Sequence, residues 1–242
     1  MSKTHIAERR VYILSDDGKT MYYHFFTESH WSYEHKVIVP AGVETVCLDG
    51  IELGADDDGN PFTIEELYLP KSVKNLDTIW VGGLDDVRAG DFYPGTFGDH
   101  ETKIRISKSN PYLKTDGQSV YSADGKRLVY AFKFDNEYSI ATSVEVIETG
   151  ALREVGWQDI IIPSTVKLVK AQICDLNYES FDNNVLTIEG SETVFEGDFE
   201  GKKHENSYSS YLSNGIFKEI RLHAGSEAQK YCDEHGVEYI TY

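Results

Sequence analysis

A ten-residue pattern that recurs four times limits this chain more tightly than its composition does, because copies at a repeating interval mark an array of stacked units. Val37-Ile38-Val39-Pro40-Ala41-Gly42-Val43-Glu44-Thr45-Val46 has apolar residues at its first, third, seventh and tenth positions and proline after the third. Leu67 to Leu76 and Ile160 to Val169 repeat it with Pro70 and Pro163, and Tyr138 to Ile147 repeats it with Ala141 in the proline's place. An apolar-x-apolar triplet is a short strand whose first and third side chains point inward. Proline has no N–H to donate, so the ladder ends there and the chain turns. The apolar residues at the seventh and tenth positions then point back to the core.

Such a unit buries one short edge and cannot fold alone. Stacked copies set their triplets side by side as a parallel sheet and join their edges into one core. Ile104-Arg105-Ile106, Leu186-Thr187-Ile188 and Ile220-Arg221-Leu222 keep the triplet without the proline and read as degenerate rungs, giving seven in all. The third triplet positions, Val39, Leu69, Ile106, Ile140, Ile162, Ile188 and Leu222, lie 22 to 37 residues apart, so the longer steps carry insertions. One insertion, Ser119 to Phe132, is a hairpin around Asp124-Gly125, and Tyr12 to Phe25 matches it at a constant offset of 107 around Asp17-Gly18. Near the C-terminus, Ser226-Glu227-Ala228-Gln229 has the form of a capping box. Ala228, Tyr231 and Cys232 share a helical face, Gly236 ends the helix, and Val237 to Ile240 offers a last strand. The expected organisation is an N-terminal hairpin and capping region over 1–36, then a solenoid over 37–242 with its cap from about residue 223.

These residues resemble the BspA-like leucine-rich repeat family, whose unit has the apolar-x-apolar-Pro-x-x-Val-x-x-apolar core. The likeness covers about positions 37 to 240. Ile147-Glu148-Thr149-Gly150-Ala151-Leu152 is similar to the passage that follows that core, with Leu152 where phenylalanine is usual. Asn110-Pro111-Tyr112 with the Asp124-Gly125-Lys126 hairpin, and the ending Gly225 to Tyr231, are similar to family features as well. The resemblance implies a leucine-rich-repeat-like, β-rich solenoid of short parallel strands in a curved sheet, with inserted β-hairpins and a short C-terminal capping helix. It also implies adhesion or protein interaction, often at the surface of bacteria and some protists, and brings no catalytic residues.

Charge and motif content narrow the functional classes. Forty-one acidic against 23 basic residues give a formal charge of −18, which repels phosphate backbones, so nucleic acid is not an expected partner. Cys47, Cys174 and Cys232 are too dispersed for a disulfide framework or a metal cluster. Neither a signal peptide nor an apolar run of membrane-spanning length is present, so the default location is cytoplasmic, while the family resemblance leaves the cell surface open. The acidic loop from Gly54 through Asp56, Asp57 and Asp58 to Glu65 lacks the first carboxylate of a calcium loop and reads as a solvated insertion. The eight histidines show no HExxH or HxH spacing. Cys232 and His235 sit three apart on the C-terminal helix, where a thiol and an imidazole could meet, but Cys232 shares the apolar face. Trp31, Trp80 and Trp157 read as core positions.

No cofactor or metal is expected, and the chain reads as a non-enzymatic interaction module. The candidate partner-binding residues are the outward middle positions of the triplets: Ile38, Tyr68, Arg105, Ser139, Ile161, Thr187 and Arg221. Tyrosine and arginine are enriched at interface hot spots, and isoleucine is unusual where solvent is expected. The competing reading is a carbohydrate-binding protein or hydrolase with a site on its loops.

Overall fold

The computed structural model describes residues 3–7, 10–26, 36–48, 66–77, 103–132, 138–152, 159–170, 184–196 and 217–242. The chain divides into two compact units, Met1–Ala123 and Asp124–Tyr242.

The first unit opens on an antiparallel meander, β1 (Lys3–Ala7), β2 (Arg10–Leu14) and β3 (Thr20–Phe26). Its second turn places Gly18 at φ 71°, a backbone region that costs a residue with a side chain. The Asp17 carboxylate closes that turn by accepting the Lys19 N–H at 3.0 Å and the Ser15 hydroxyl at 2.6 Å. Each repeat then contributes two short parallel strands. The first copy gives β4 (Lys36–Ile38) and β5 (Thr45–Cys47), the second β6 (Glu66–Leu69) and β7 (Asn75–Asp77), and the next triplet β8 (Lys103–Ile106). The triplet strands form the sheet β4-β6-β8, while the second strands extend the meander in the order β1-β2-β3-β5-β7. Antiparallel β9 (Leu113–Thr115) and β10 (Ser119–Ser122) follow.

The second unit repeats this plan. It contains β11 (Arg127–Ala131), β12 (Val146–Ile147), β13 (Ile160–Ile162), β14 (Leu168–Val169), β15 (Val185–Ile188), β16 (Val194–Phe195), β17 (Glu219–Leu222), α1 (Glu227–His235) and β18 (Ile240–Thr241). Triplet strands β13-β15-β17 run parallel and are extended by β18. The second strands run parallel as β11-β12-β14-β16. The architecture is the expected β-rich repeat fold.

The proline corner works as the sequence implies. Val43, Val73, Val144 and Val166 each donate their N–H to the carbonyl three residues back, that of Pro40, Pro70, Ala141 and Pro163, at 3.0 to 3.3 Å. Val37, Val39, Val43 and Val46 are all buried. The sequence reading placed the seventh and tenth positions inward but gave them no strand. The second strands are two or three residues long, too short to display a period of two.

The proline-free triplets form full strands, whereas Tyr138 to Ile140, which resembles the consensus more closely, does not. The described residues show no strand there, although Val144 still turns the corner and Val146–Ile147 still pairs. Polar residues replace the corner valine in the proline-free rungs. Asn110 stands at that position. Its amide donates to the Pro70 and Val73 carbonyls at 3.0 and 2.9 Å, and its carbonyl accepts from Tyr112 and Leu113. In the rung after Ile188 the position holds exposed Glu192, and buried Thr193 next to it donates its hydroxyl to the Val166 carbonyl at 2.8 Å. Ser226 takes the position in the last rung and becomes the N-cap of α1, accepting the Gln229 N–H at 3.1 Å. Ala228, Tyr231 and Cys232 are the buried face of that helix, and Gly236 closes it at φ 66°.

Thr193→Val keeps the shape but removes the donor from the Val166 carbonyl, so it costs about 1–2 kcal/mol. A methyl group on Gly190 would lie 2.2 Å from Thr193 Oγ1, so Gly190→Ala has a comparable cost by displacing the same hydroxyl. Exposed Val194→Thr, the adjacent control, stays within about 0.5 kcal/mol. Urea unfolding of the three variants checks this order, and equal midpoints for Thr193→Val and wild type contradict it.

Candidate functional site

Strand alternation and register decide which side chains reach solvent from the triplet sheets. In the first unit Val37, Leu67 and Ile104 lie side by side and buried, which turns the neighbouring row Ile38, Tyr68, Arg105 outward. Ile38 is 47% exposed. On the same face Lys36, Glu66 and Lys103 are in register, and Arg105 reaches across to Glu66 at 2.9 Å. In the second unit the outward row is Ile161, Thr187, Arg221, and β18 adds Ile240 to it. Ile161 is 55% exposed and Ile240 52%. Arg221 pairs with Glu219, and the Asp159 carboxylate accepts the Val185 N–H at 2.8 Å.

The seven middle positions therefore do not make one row. Six of them form two in-register rows of three, one in each unit. Ser139 belongs to neither, because a strand is defined by its ladder and Tyr138 to Ile140 enters none. Ser139 is exposed beside buried Ile140, so the alternation expected of a triplet persists there without the pairing.

A third outward row escaped the sequence reading. On the second-strand sheet of the second unit, Val146, Leu168 and Val194 are in register and reach solvent, beside Arg127. Ion pairs frame this apolar strip. Lys126–Glu145 at 2.7 Å and Lys167–Glu192 at 3.0 Å lie on one side, and Glu148, bridged by Arg127 at 3.0 Å and Lys170 at 2.8 Å, on the other. The Glu145 carboxylate raises the pKa of Lys126, and Lys167 lowers that of Glu192. The apolar doublets Val146-Ile147, Leu168-Val169 and Val194-Phe195 were the signal. The first unit has Thr45 and Asn75 at the outward positions of its corresponding strands.

Several other candidates lie outside the described residues: the acidic loop from Gly54 to Glu65, Trp31, Trp80, Trp157 and Cys174. The His223 ring packs on Tyr242 with centroids 4.5 Å apart. Among the described residues, no group of three His, Cys, Asp or Glu side chains is placed to hold a metal ion, and no helix is long and apolar enough to cross a membrane.

No family model matches the chain, and no curated protein matches it. Among solved structures it is similar to a leucine-rich repeat protein from Eubacterium ventriosum ATCC 27560, at 13% identity and a TM-score of 0.43, over 93% of this chain and 73% of that one. It is also similar to the pneumococcal vaccine antigen PcpA, at 11% identity and a TM-score of 0.38, over 85% of this chain and 67% of that one.

The thiol and imidazole of α1 are engaged separately. Cys232 is fully buried, and burial first, then the Asp233 charge, pushes its thiol up to about 11 from 9.0. The His235 ring stacks on Tyr231 with centroids 4.2 Å apart. A folded-state pKa above the unfolded one means that the native chain holds the extra proton. The stability this gives is complete below about pH 9 and is lost as pH rises toward 11. At pH 8 the native thiolate population is about 100-fold below that of the unfolded chain, so alkylation of Cys232 is slowed by at least about that factor. Peptide mapping after timed iodoacetamide treatment, with and without denaturant, checks this; equal rates contradict it.

Proposed function

We propose that the chain is a non-catalytic protein-interaction module of the adhesion or scaffold type, and that its partners dock on the open triplet sheets. The observation carrying this reading is the pair of in-register rows, Ile38-Tyr68-Arg105 and Ile161-Thr187-Arg221, in which a large aliphatic residue stands in water beside an arginine at positions the fold leaves free to be polar. Apolar side chains grouped on a surface mark contact sites more often than isolated ones do. Rigid strands also hold the row in a fixed shape, which lowers the entropy cost of docking.

The strip Val146-Leu168-Val194 supports the same class of function, since its ion-paired borders and apolar centre have the anatomy of an interface core and rim. The cytoplasm and the cell surface are both compatible with this reading.

The test is capture from lysate and surface extract of the native organism, comparing wild type with an Ile38→Glu, Tyr68→Glu, Ile161→Glu triple variant whose thermal unfolding matches wild type. The expected result is a protein retained by wild type and released at least about tenfold more readily by the variant, as for the loss of an interface centre. Equal retention by both removes the triplet faces from the function, and a parallel Leu168→Glu variant then reports on the second-strand strip.

A further inference from the structure

The two triplet faces carry opposite charge. Among the described residues, the outward positions of β4, β6 and β8 hold Lys36, Lys103 and Arg105 against the single carboxylate of Glu66. The outward positions of β13, β15 and β17, with the residues that continue their alternation, hold Asp159, Glu189 and Glu219 against the single cation of Arg221. Arg105 already bridges Glu66, and Glu219 already pairs with Arg221. The surplus is therefore Lys36 and Lys103 on one face, Asp159 and Glu189 on the other. Exposed isoleucine lies at the centre of both, Ile38 on the first and Ile161 and Ile240 on the second.

We propose that the occupant of each triplet face is the opposite triplet face of a second copy of this chain. The inference rests on the reading of these faces as docking surfaces. A chain with a formal charge of −18 repels its own copies at long range, so a basic face on such a chain is the one surface toward which an acidic face of another copy is drawn. Opposed isoleucines leave water together, and the surplus lysines meet the surplus carboxylates around them, which fixes the orientation. Each chain carries one face of each kind, so the association is head-to-tail rather than between like faces. At about 150 mM salt the Debye length is about 8 Å, which screens the net repulsion and leaves contact pairs in force.

Sedimentation equilibrium at that salt tests the proposal with the full chain. Wild type rises from the single-chain mass of 27.4 kDa to at least twice that mass as concentration approaches about 1 mM, where even millimolar affinity is visible. An Ile38→Glu, Lys103→Glu variant and an Ile161→Lys, Glu189→Lys variant, all at exposed positions, each stay at the single-chain mass. Their equimolar mixture regains association, because the acidic face of the first meets the basic face of the second. A wild type that stays at 27.4 kDa throughout overturns the inference, as does association of either variant alone at the wild-type level or a mixture that remains single. Capture of a different protein by a wild type that stays single overturns this inference alone and leaves the interaction reading standing.

Discussion

One backbone carbonyl per coil holds the stack together. The Lys19 carbonyl accepts the N–H groups of Glu44 and Thr45 at 2.6 and 3.0 Å, and the Glu44 carbonyl accepts those of Lys74 and Asn75 at 2.7 and 3.1 Å. In the second unit the Lys126 carbonyl accepts Glu145 and Val146 at 2.7 and 3.0 Å, and the Glu145 carbonyl accepts Lys167 and Leu168 at 2.8 and 3.2 Å. Each coil thus enters its second strand with two amides satisfied by the coil before it. A coil cut out of the array would leave those amides and its buried valines to water. The same lysine and glutamate side chains link coils outside the ladder, with Glu44 between Lys19 at 3.2 Å and Lys74 at 2.7 Å. Lys74 first and Lys19 second hold the Glu44 carboxyl below its usual range. These pairs are exposed, so they select register more than they add stability.

The carbonyl ladder also explains why the hairpin and the rungs recur as one module. Gly18 and Gly125 have φ of 71° and 78°, and Asp17 and Asp124 each accept the N–H two residues on. That turn delivers Lys19 and Lys126 to the start of a strand, where their carbonyls become the first acceptors of the stack. Met21 and Leu128, two residues further, are fully buried beneath the first rung. A hairpin placed elsewhere would leave the next coil nothing to pair with.

Much of this was legible in residues. Pro40, Pro70 and Pro163 mark corners, Val43, Val73 and Val166 mark the return to the core, and Ser226 with Gly236 marks the cap. The illegible parts share one cause: tertiary partners decide them. The second strands are too short to show alternation, so Val146, Leu168 and Val194 gave no sign of forming a surface row until the register aligned them. Asn110 and Thr193 looked like breaks in the repeat and are instead its hydrogen-bonded substitutes, a role visible only with the Pro70, Val73 and Val166 carbonyls in place. Ser139 had the pattern of a rung and lacked a ladder to join. Of the site itself, the sequence showed the composition of the outward positions but not their division into two rows of opposite charge.

The central claim is that inter-coil backbone bonds, rather than contacts within each coil, hold the rungs. Amide hydrogen exchange followed residue by residue tests it directly. The account predicts that Glu44, Thr45, Lys74, Asn75, Glu145, Val146, Lys167 and Leu168 exchange together within each unit, at the slow rate of that unit's global opening. Exchange of these amides at the rate of an unstructured chain, with protection confined to the hairpins and α1, would contradict it.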